Sequence, residues 1–123
     1  MKAACIRDGP ASCVCANMNV LVQNIMMDLY QRLRRVYGPR LIRLVLFGSQ
    51  ARGDASDDSD IDALVILEGH VDPCVEIART EFDVASLSLE NDRVILCLFV
   101  SEDEYARGET PVIMNATREG VAI

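Results

Sequence analysis

The segment LFGSQARGDASDDSDIDALVIL, from Leu46 to Leu67, sets five aspartates between two apolar runs. That pattern constrains the chain more than any other. Residues 41–47 (LIRLVLF) and 61–67 (IDALVIL) are short, apolar and carry β-branched side chains, so both read as strands. Asp60 and Asp62 stand two apart at the entry to the second run, and the period of two along a strand projects both from one face. Carboxylates this close raise each other's pKa unless a cation sits between them.

The remaining chain supplies helices around these strands. Val22, Ile25, Met26, Leu29, Leu33 and Val36 recur at three- and four-residue steps, which predicts an amphipathic helix over about 19–37, ended by Gly38-Pro39. Asp72-Pro73 with Glu76 signals a helix start, and Cys74, Ile77, Ala78, Phe82, Ala85 and Leu89 continue at helical spacing over 73–89. Asn91 is the expected stop. Residues 93–100 (RVILCLFV) read as a third strand. Ser101 with Glu104 forms a capping-box signature, and Thr110-Pro111 opens a last helix closed by Glu119-Gly120. The strand–helix–strand unit over 61–100 favours a parallel crossover, so the fold class is a small mixed α/β or α+β domain. Residues 1–17 lack periodicity and contain Gly9-Pro10. They read as a poorly structured leader, or an upstream-start artefact, before a single domain over 18–123.

Composition narrows the function. At 123 residues there is room for one core and no separate substrate domain. A net charge of −7 argues against wrapping duplex nucleic acid. Arg32, Arg34, Arg35, Arg40 and Arg43 nevertheless cluster ahead of the acidic stretch, as a solvated helix face or as a surface for an anionic ligand or acidic partner. Five cysteines with a single histidine, His70, do not make a zinc set, and Cys74 and Cys97 read as small buried hydrophobes. No apolar run is long enough to span a bilayer, and a cytoplasmic location with reduced thiols is expected.

Several readings of the acidic stretch fail. Asp58, Asp60 and Asp62 alternate as in a calcium loop, but Ala63 and Gly69 stand where that loop wants glycine and glutamate. No Gly-Lys-Ser/Thr follows Gly48, so this is no P-loop. Arg52-Gly53-Asp54 has no adhesive context in such a loop. What survives is a magnesium pair, Asp60 and Asp62, facing a phosphate site at Gly48-Ser49. Glycine lets a backbone approach a phosphate closely, and the Ser49 hydroxyl can donate to it. Arg52 is a further phosphate contact or a surface ion pair with the neighbouring aspartates.

Gly48-Ser49 followed by Asp60-Ile61-Asp62, in the text LFGSQARG and SDIDALV, resembles the signature of the DNA polymerase β-like nucleotidyltransferase superfamily. The chain looks like its minimal nucleotidyltransferases, over roughly 19–123 and including the closing NATREGVAI. The resemblance implies that superfamily's fold, a small mixed sheet flanked by helices. It also implies transfer of a nucleoside monophosphate, with ATP as substrate and two magnesium ions. A third carboxylate is implied on the strand beside Asp-x-Asp. Asp83, in EFDVASL, and Asp92 compete for it. The helix over 73–89 leaves Asp83 mid-helix, whereas Asp92 starts the third strand, so Asp60, Asp62 and Asp92 are the expected catalytic and metal-binding set. Gly48, Ser49 and Arg52 are the expected nucleotide contacts.

The resemblance also implies a partner. Minimal nucleotidyltransferases typically accompany a helical HEPN (higher eukaryotes and prokaryotes nucleotide-binding) protein, often an RNase toxin. This chain would then be the antitoxin, attaching AMP to a tyrosine of the toxin. A transferase for a small molecule or nucleic-acid end, and a binding antitoxin without catalysis, are the alternatives. A homo-oligomer is a further option for the Arg-rich helix and the apolar C-terminal region.

Overall fold

The computed structural model describes residues 20–52 and 59–123, apart from the side chains of Ser49 and Arg52. The leader over 1–17 and the loop aspartates Asp54, Asp57 and Asp58 lie outside the described residues. Helix α1 (Val20–Tyr37) is followed by a 3-10 turn (Gly38–Arg40), strand β1 (Leu41–Phe47) and the short helix α2 (Ser49–Arg52). Then come β2 (Ile61–Leu67), α3 (Pro73–Asn91), β3 (Ile95–Ser101), α4 (Glu102–Arg107), α5 (Pro111–Glu119) and β4 (Val121–Ala122). The fold is of mixed α+β class.

One four-stranded sheet, ordered β3-β2-β1-β4, organises the chain. β1 and β2 run antiparallel, with Phe47 opposite Asp62, and β2 pairs with β3 in parallel, as the crossover over 61–100 requires. The two-residue β4 closes the other edge against β1, pairing Leu46 with Val121. Such a short pairing leaves no periodicity to read, and the sequence reading missed it.

Alternation along the strands separates two faces. Leu44, Leu46, Ala63, Val65 and Leu67 point one way and bury against Val22, Ile25, Met26, Leu29 and Leu33 of α1. Val45, Leu64 and Ile66 point the other way and meet Ala116 of α5, with Tyr105 of α4 packed beside them. The sheet is thus covered on one face and, over β1 and β2, on the other, whereas Leu96 and Leu98 of β3 stay exposed and Asp62 is half-buried beside exposed Asp60.

Local chemistry sets most element boundaries. The Asp72 carboxylate accepts from the Cys74 N–H at 3.1 Å, and Pro73 occupies the first turn, where its missing N–H costs nothing. Ser101 and Glu104 form the full capping box, each side chain accepting from the other's backbone N–H at 3.1 Å. The Thr110 hydroxyl accepts from the Ile113 N–H at 3.4 Å.

Three expectations are corrected. β3 opens at Ile95 rather than at residue 93, because α3 continues to Asn91 and needs residues to turn. Asp92 is that turn: it caps α3 in the left-handed conformation at φ 52°, which aspartate tolerates better than most residues. Cys74 is exposed, since the first turn of α3 presents it to solvent, whereas Cys97 is inward and burial pushes its thiol up to about 12. No described helix is long and apolar enough to cross a membrane.

Candidate active site

The site is built where β1 ends and β2 begins. Gly48 follows β1 with φ +77°, a conformation that favours glycine, and turns the chain into α2. The Ala51 N–H donates to the Gly48 carbonyl at 3.1 Å. Glycine is demanded here a second time. A Cβ on Gly48 would stand 2.6 Å from Oδ2 of Asp62, closer than real contacts allow. The two halves of the motif, distant in sequence, are therefore in van der Waals contact.

Asp62 is the second residue of β2 and half-buried; Asp60 precedes the strand and is exposed. Burial raises the Asp62 pKa first, and the charge of Asp60 raises it further. The fold thus holds a carboxylate under electrostatic pressure beside a second one. A hard divalent cation relieves that pressure. Carboxylates that each give one oxygen leave most of an octahedral shell for water and phosphate, so the chemistry of this pair fits a magnesium ion.

Gln50 was not anticipated from the sequence. Its side chain is buried, and Nε2 donates to the Ser59 carbonyl at 3.1 Å. It ties α2 to the segment that delivers Asp60 and so sets the glycine half of the motif against the acidic half. Nothing in its spacing marks it, since its partner is a backbone carbonyl nine residues on. Ser49 and Arg52 lie in α2, but their side chains are outside the described residues.

Asp92 is the C-terminal cap of α3. Among the described residues no three of His, Cys, Asp or Glu are grouped as an ion site. The β3 residue opposite Asp62 is Leu96, 48 % exposed, with Val94 and Leu98 exposed at alternate positions. Asp83 sits within α3, where its carbonyl accepts from Arg32 Nη1 at 3.4 Å. An open cavity of about 270 Å3, lined by Pro73, Ile77, Leu98, Val112 and Ile113, lies toward the other end of β3.

The arginine cluster divides. Arg32 bridges α1 to α3, donating from Nε to Asp28 at 2.8 Å and from Nη2 to Glu90 at 3.1 Å. Arg40 donates to the carbonyls of Glu68 and His70, at 3.1 and 3.2 Å. Both are architectural; Arg34 and Arg35 remain exposed on α1.

Known proteins are similar to this chain. The family described as "Nucleotidyltransferase domain" matches residues 26–119, from α1 through α5. Two proteins of Methanocaldococcus jannaschii are similar. "Putative protein adenylyltransferase MJ1305" is 44% identical over 46 residues, covering 37% of this chain and 31% of that protein. "Putative protein adenylyltransferase MJ0604" is 38% identical over 50 residues, covering 41% and 48%. The chain thus matches less than half the length of either relative. A crystal structure described as a "putative nucleotidyltransferase" from Sulfolobus solfataricus superposes with a TM-score of 0.46 and 23% identity, over 82% of this chain and 83% of that one. With its family match extending over most of its length and the Gly48–Asp62 contact at its centre, this chain belongs to the nucleotidyltransferase domain family.

Proposed function

We propose that the chain transfers AMP from ATP to a hydroxyl of a protein acceptor, with Asp60 and Asp62 holding Mg2+. The observation that carries this reading is the contact of Gly48 with Asp62, which sets the glycine turn against one carboxylate of the acidic pair. The names of the two archaeal relatives support a protein acceptor over a small molecule.

Bound between Asp60 and Asp62, Mg2+ would supply charge neutralisation for the triphosphate and the leaving pyrophosphate. Gly48 offers backbone without a side chain, so a phosphate can approach the turn closely. Ser49 and Arg52 follow it in α2 and are the proposed donors to phosphate oxygens. Gln50 holds Ser59 and thereby the approach of Asp60. The acceptor oxygen attacks the α-phosphorus, the bond to the bridging oxygen of the β-phosphate breaks, pyrophosphate leaves and the hydroxyl proton passes to water.

Asp60 and Asp62 are the proposed ligands of one ion; Asp92 caps α3, and Leu96 stands opposite Asp62. Val94 and Leu96, both exposed and beside Ile61 and Asp62, form an apolar margin to the site. Such a margin suits an aromatic acceptor, and tyrosine is the residue proposed. The resemblance to minimal nucleotidyltransferases makes a HEPN toxin the proposed carrier of that tyrosine, with this chain acting as antitoxin.

Intact-protein mass spectrometry tests the reading. The chain is mixed with its HEPN partner, ATP and magnesium, beside the Asp60→Asn, Asp62→Asn double variant. Mass gains on the partner by AMP units, absent with the variant, are expected. A stable, silenced complex without any gain would replace transfer by inhibition through contact.

A further inference from the structure

β3 lies at the edge of the sheet, with β2 on one side and no described strand on the other. The Ile61 N–H donates to the Val94 carbonyl at 2.8 Å, and the parallel register sets Ile61 opposite Ile95. In that ladder the even residues from Val94 to Val100 bond to β2. The N–H and C=O groups of Ile95, Cys97 and Phe99 therefore face the open edge, and no other described group bonds to them. Cys97 is half-buried although burial pushes its thiol up to about 12, so the part of it that solvent reaches is backbone. The next group along, the Ser101 N–H, is taken by Glu104 at 3.1 Å.

Proteins blunt such edges with charge, proline, a bulge or brevity. β4, at the other edge, has two residues. β3 has seven, ILCLFVS, without a charge or a proline. The cavity of about 270 Å3 lies against this strand from Cys97 to Val100, between Pro73 and Ile77 of α3 and Val112 and Ile113 of α5. Ile77, Leu98 and Val112 are exposed around it.

The chemistry of the edge specifies its occupant. Alternating donors and acceptors at strand spacing are met together by a backbone in extended conformation. The apolar walls call for apolar side chains beside Leu98. Exposed Glu102 and Asp103 follow directly on β3, and the chain carries a net charge of −7, which favours a basic residue at that end. At its other end the same strand enters the site, where Leu96 stands opposite Asp62. An added strand lies two strand spacings, about 10 Å, from β2. A tyrosine opposite Leu96 shares the face of Asp62 and can lean over Leu96 toward it.

We propose that the open edge of β3 receives the acceptor protein as an extended, antiparallel segment, apolar beside Leu98, basic beyond Ser101 and carrying its tyrosine opposite Leu96. The tyrosine oxygen takes the α-phosphorus while pyrophosphate and the hydroxyl proton leave. The tyrosine's role rests on the transfer reading; the pairing itself needs neither ATP nor metal.

Hydrogen exchange of the full chain, read by NMR with the peptide Lys-Lys-Val-Thr-Val-Val-Tyr-Thr and no nucleotide, tests the pairing. The Cys97 and Phe99 amides are expected to exchange more slowly with this peptide. They are expected to be unaffected by the same peptide N-methylated at its fourth and sixth residues, which stand opposite Phe99 and Cys97. Leu98→Lys is expected to keep the circular dichroism spectrum and to weaken binding roughly tenfold. With ATP and magnesium, AMP is expected on the tyrosine. It is not expected on a peptide whose last two residues are exchanged, because a shift of one residue turns the tyrosine to the other face. No slowing at about 1 mM peptide, or equal slowing by the N-methylated form, would overturn the proposal. A species of twice 13.6 kDa in sedimentation that Leu98→Lys returns to single chains would overturn it too, since a second copy would then hold the edge. Slowing without AMP transfer would leave the pairing standing and count against the transfer reading alone.

Discussion

Gly48 and Asp62 are in contact across the junction of β1 and β2, with only 2.6 Å between the position of a Gly48 Cβ and Asp62 Oδ2. The left-handed backbone of Gly48, at φ +77°, adds a second penalty for any side chain. Gly48→Ala must therefore strain the turn or displace the carboxylate. We expect a stability loss of about 1–2 kcal/mol, read as a lowered melting temperature. Nucleotidyl transfer is expected to fall by roughly a hundredfold, since ångström-scale misplacement of a reacting group costs about that much. Wild-type transfer by this variant would remove Gly48 from the site.

Asp62 makes the metal-free fold sensitive to pH. Burial, then the Asp60 charge, holds its folded pKa above the ordinary carboxylate value. The protonated form is thus favoured by folding, and this contribution is complete below the unfolded pKa and lost as pH rises through the raised folded value. At neutral pH the ionised pair is a net penalty. Asp62→Asn is expected to raise the melting temperature of the metal-free chain slightly. Magnesium is expected to raise the wild-type melting temperature at neutral pH, and to do so less under acid conditions and not in the Asn variant. Calorimetry with and without magnesium across that range reads all three. A variant still stabilised by magnesium at neutral pH would place the ion elsewhere.

Gln50 is a positioning residue. Its Nε2 donates to the Ser59 carbonyl from a buried place, and the next residue after Ser59 is Asp60. Gln50→Ala loses one hydrogen bond and leaves a carbonyl without that donor, a cost of about 1–2 kcal/mol. The informative readout is kinetic. A larger fall in kcat than rise in KM for ATP is expected, because Asp60 loses its placement rather than the nucleotide its contacts. Gln50→Glu, which cannot donate when ionised, should behave like the alanine variant at neutral pH and recover at acid pH.

Elements whose causes are local were legible in the sequence. β1 and β2 occupy the two apolar runs at the positions read from them, each bounded by a glycine turn or the acidic stretch. The starts of α3, α4 and α5 follow from Asp72-Pro73, Ser101 with Glu104 and Thr110-Pro111, whose hydrogen bonds span two or three residues. What depended on distant partners was not legible. The apolar residues that disclosed α3 face solvent, because its polar side is claimed by Tyr37 and Arg32, far away in sequence. Asp92 read as the entrance to a strand because a left-handed aspartate cap has no strong signature beside Asn91. Within the site, Gly48 and Asp62 meet through the β1–β2 pairing, and their spacing announced it. Gln50 acts through a backbone carbonyl nine residues on, and no periodicity records that.

The side of α3 that packs inward is held by Tyr37, whose hydroxyl donates to Glu76 Oε1 at 2.7 Å with both residues buried. Arg79 Nε supplies the carboxylate with a second donor at 3.0 Å. Tyr37→Phe leaves a buried carboxylate short of one donor, and a cost of about 1–3 kcal/mol is expected. Burial first, then the bond to Glu76, raises the Tyr37 pKa well above its ordinary 10.0. The neutral phenol is therefore favoured by folding. Its contribution is complete below the unfolded value and lost as pH climbs past it, because only the unfolded chain ionises there. Wild-type stability should fall on the alkaline side of that value, and the Phe variant should fall less steeply. Replacing both partners, Tyr37→Phe with Glu76→Met, removes the donor and the buried charge together. The double variant is expected to lose less than the sum of the two single losses, and chemical denaturation of the four proteins measures the coupling. Additive losses would mean that α3 is oriented by its packing alone, and the inward turn of its polar side would then need a different cause.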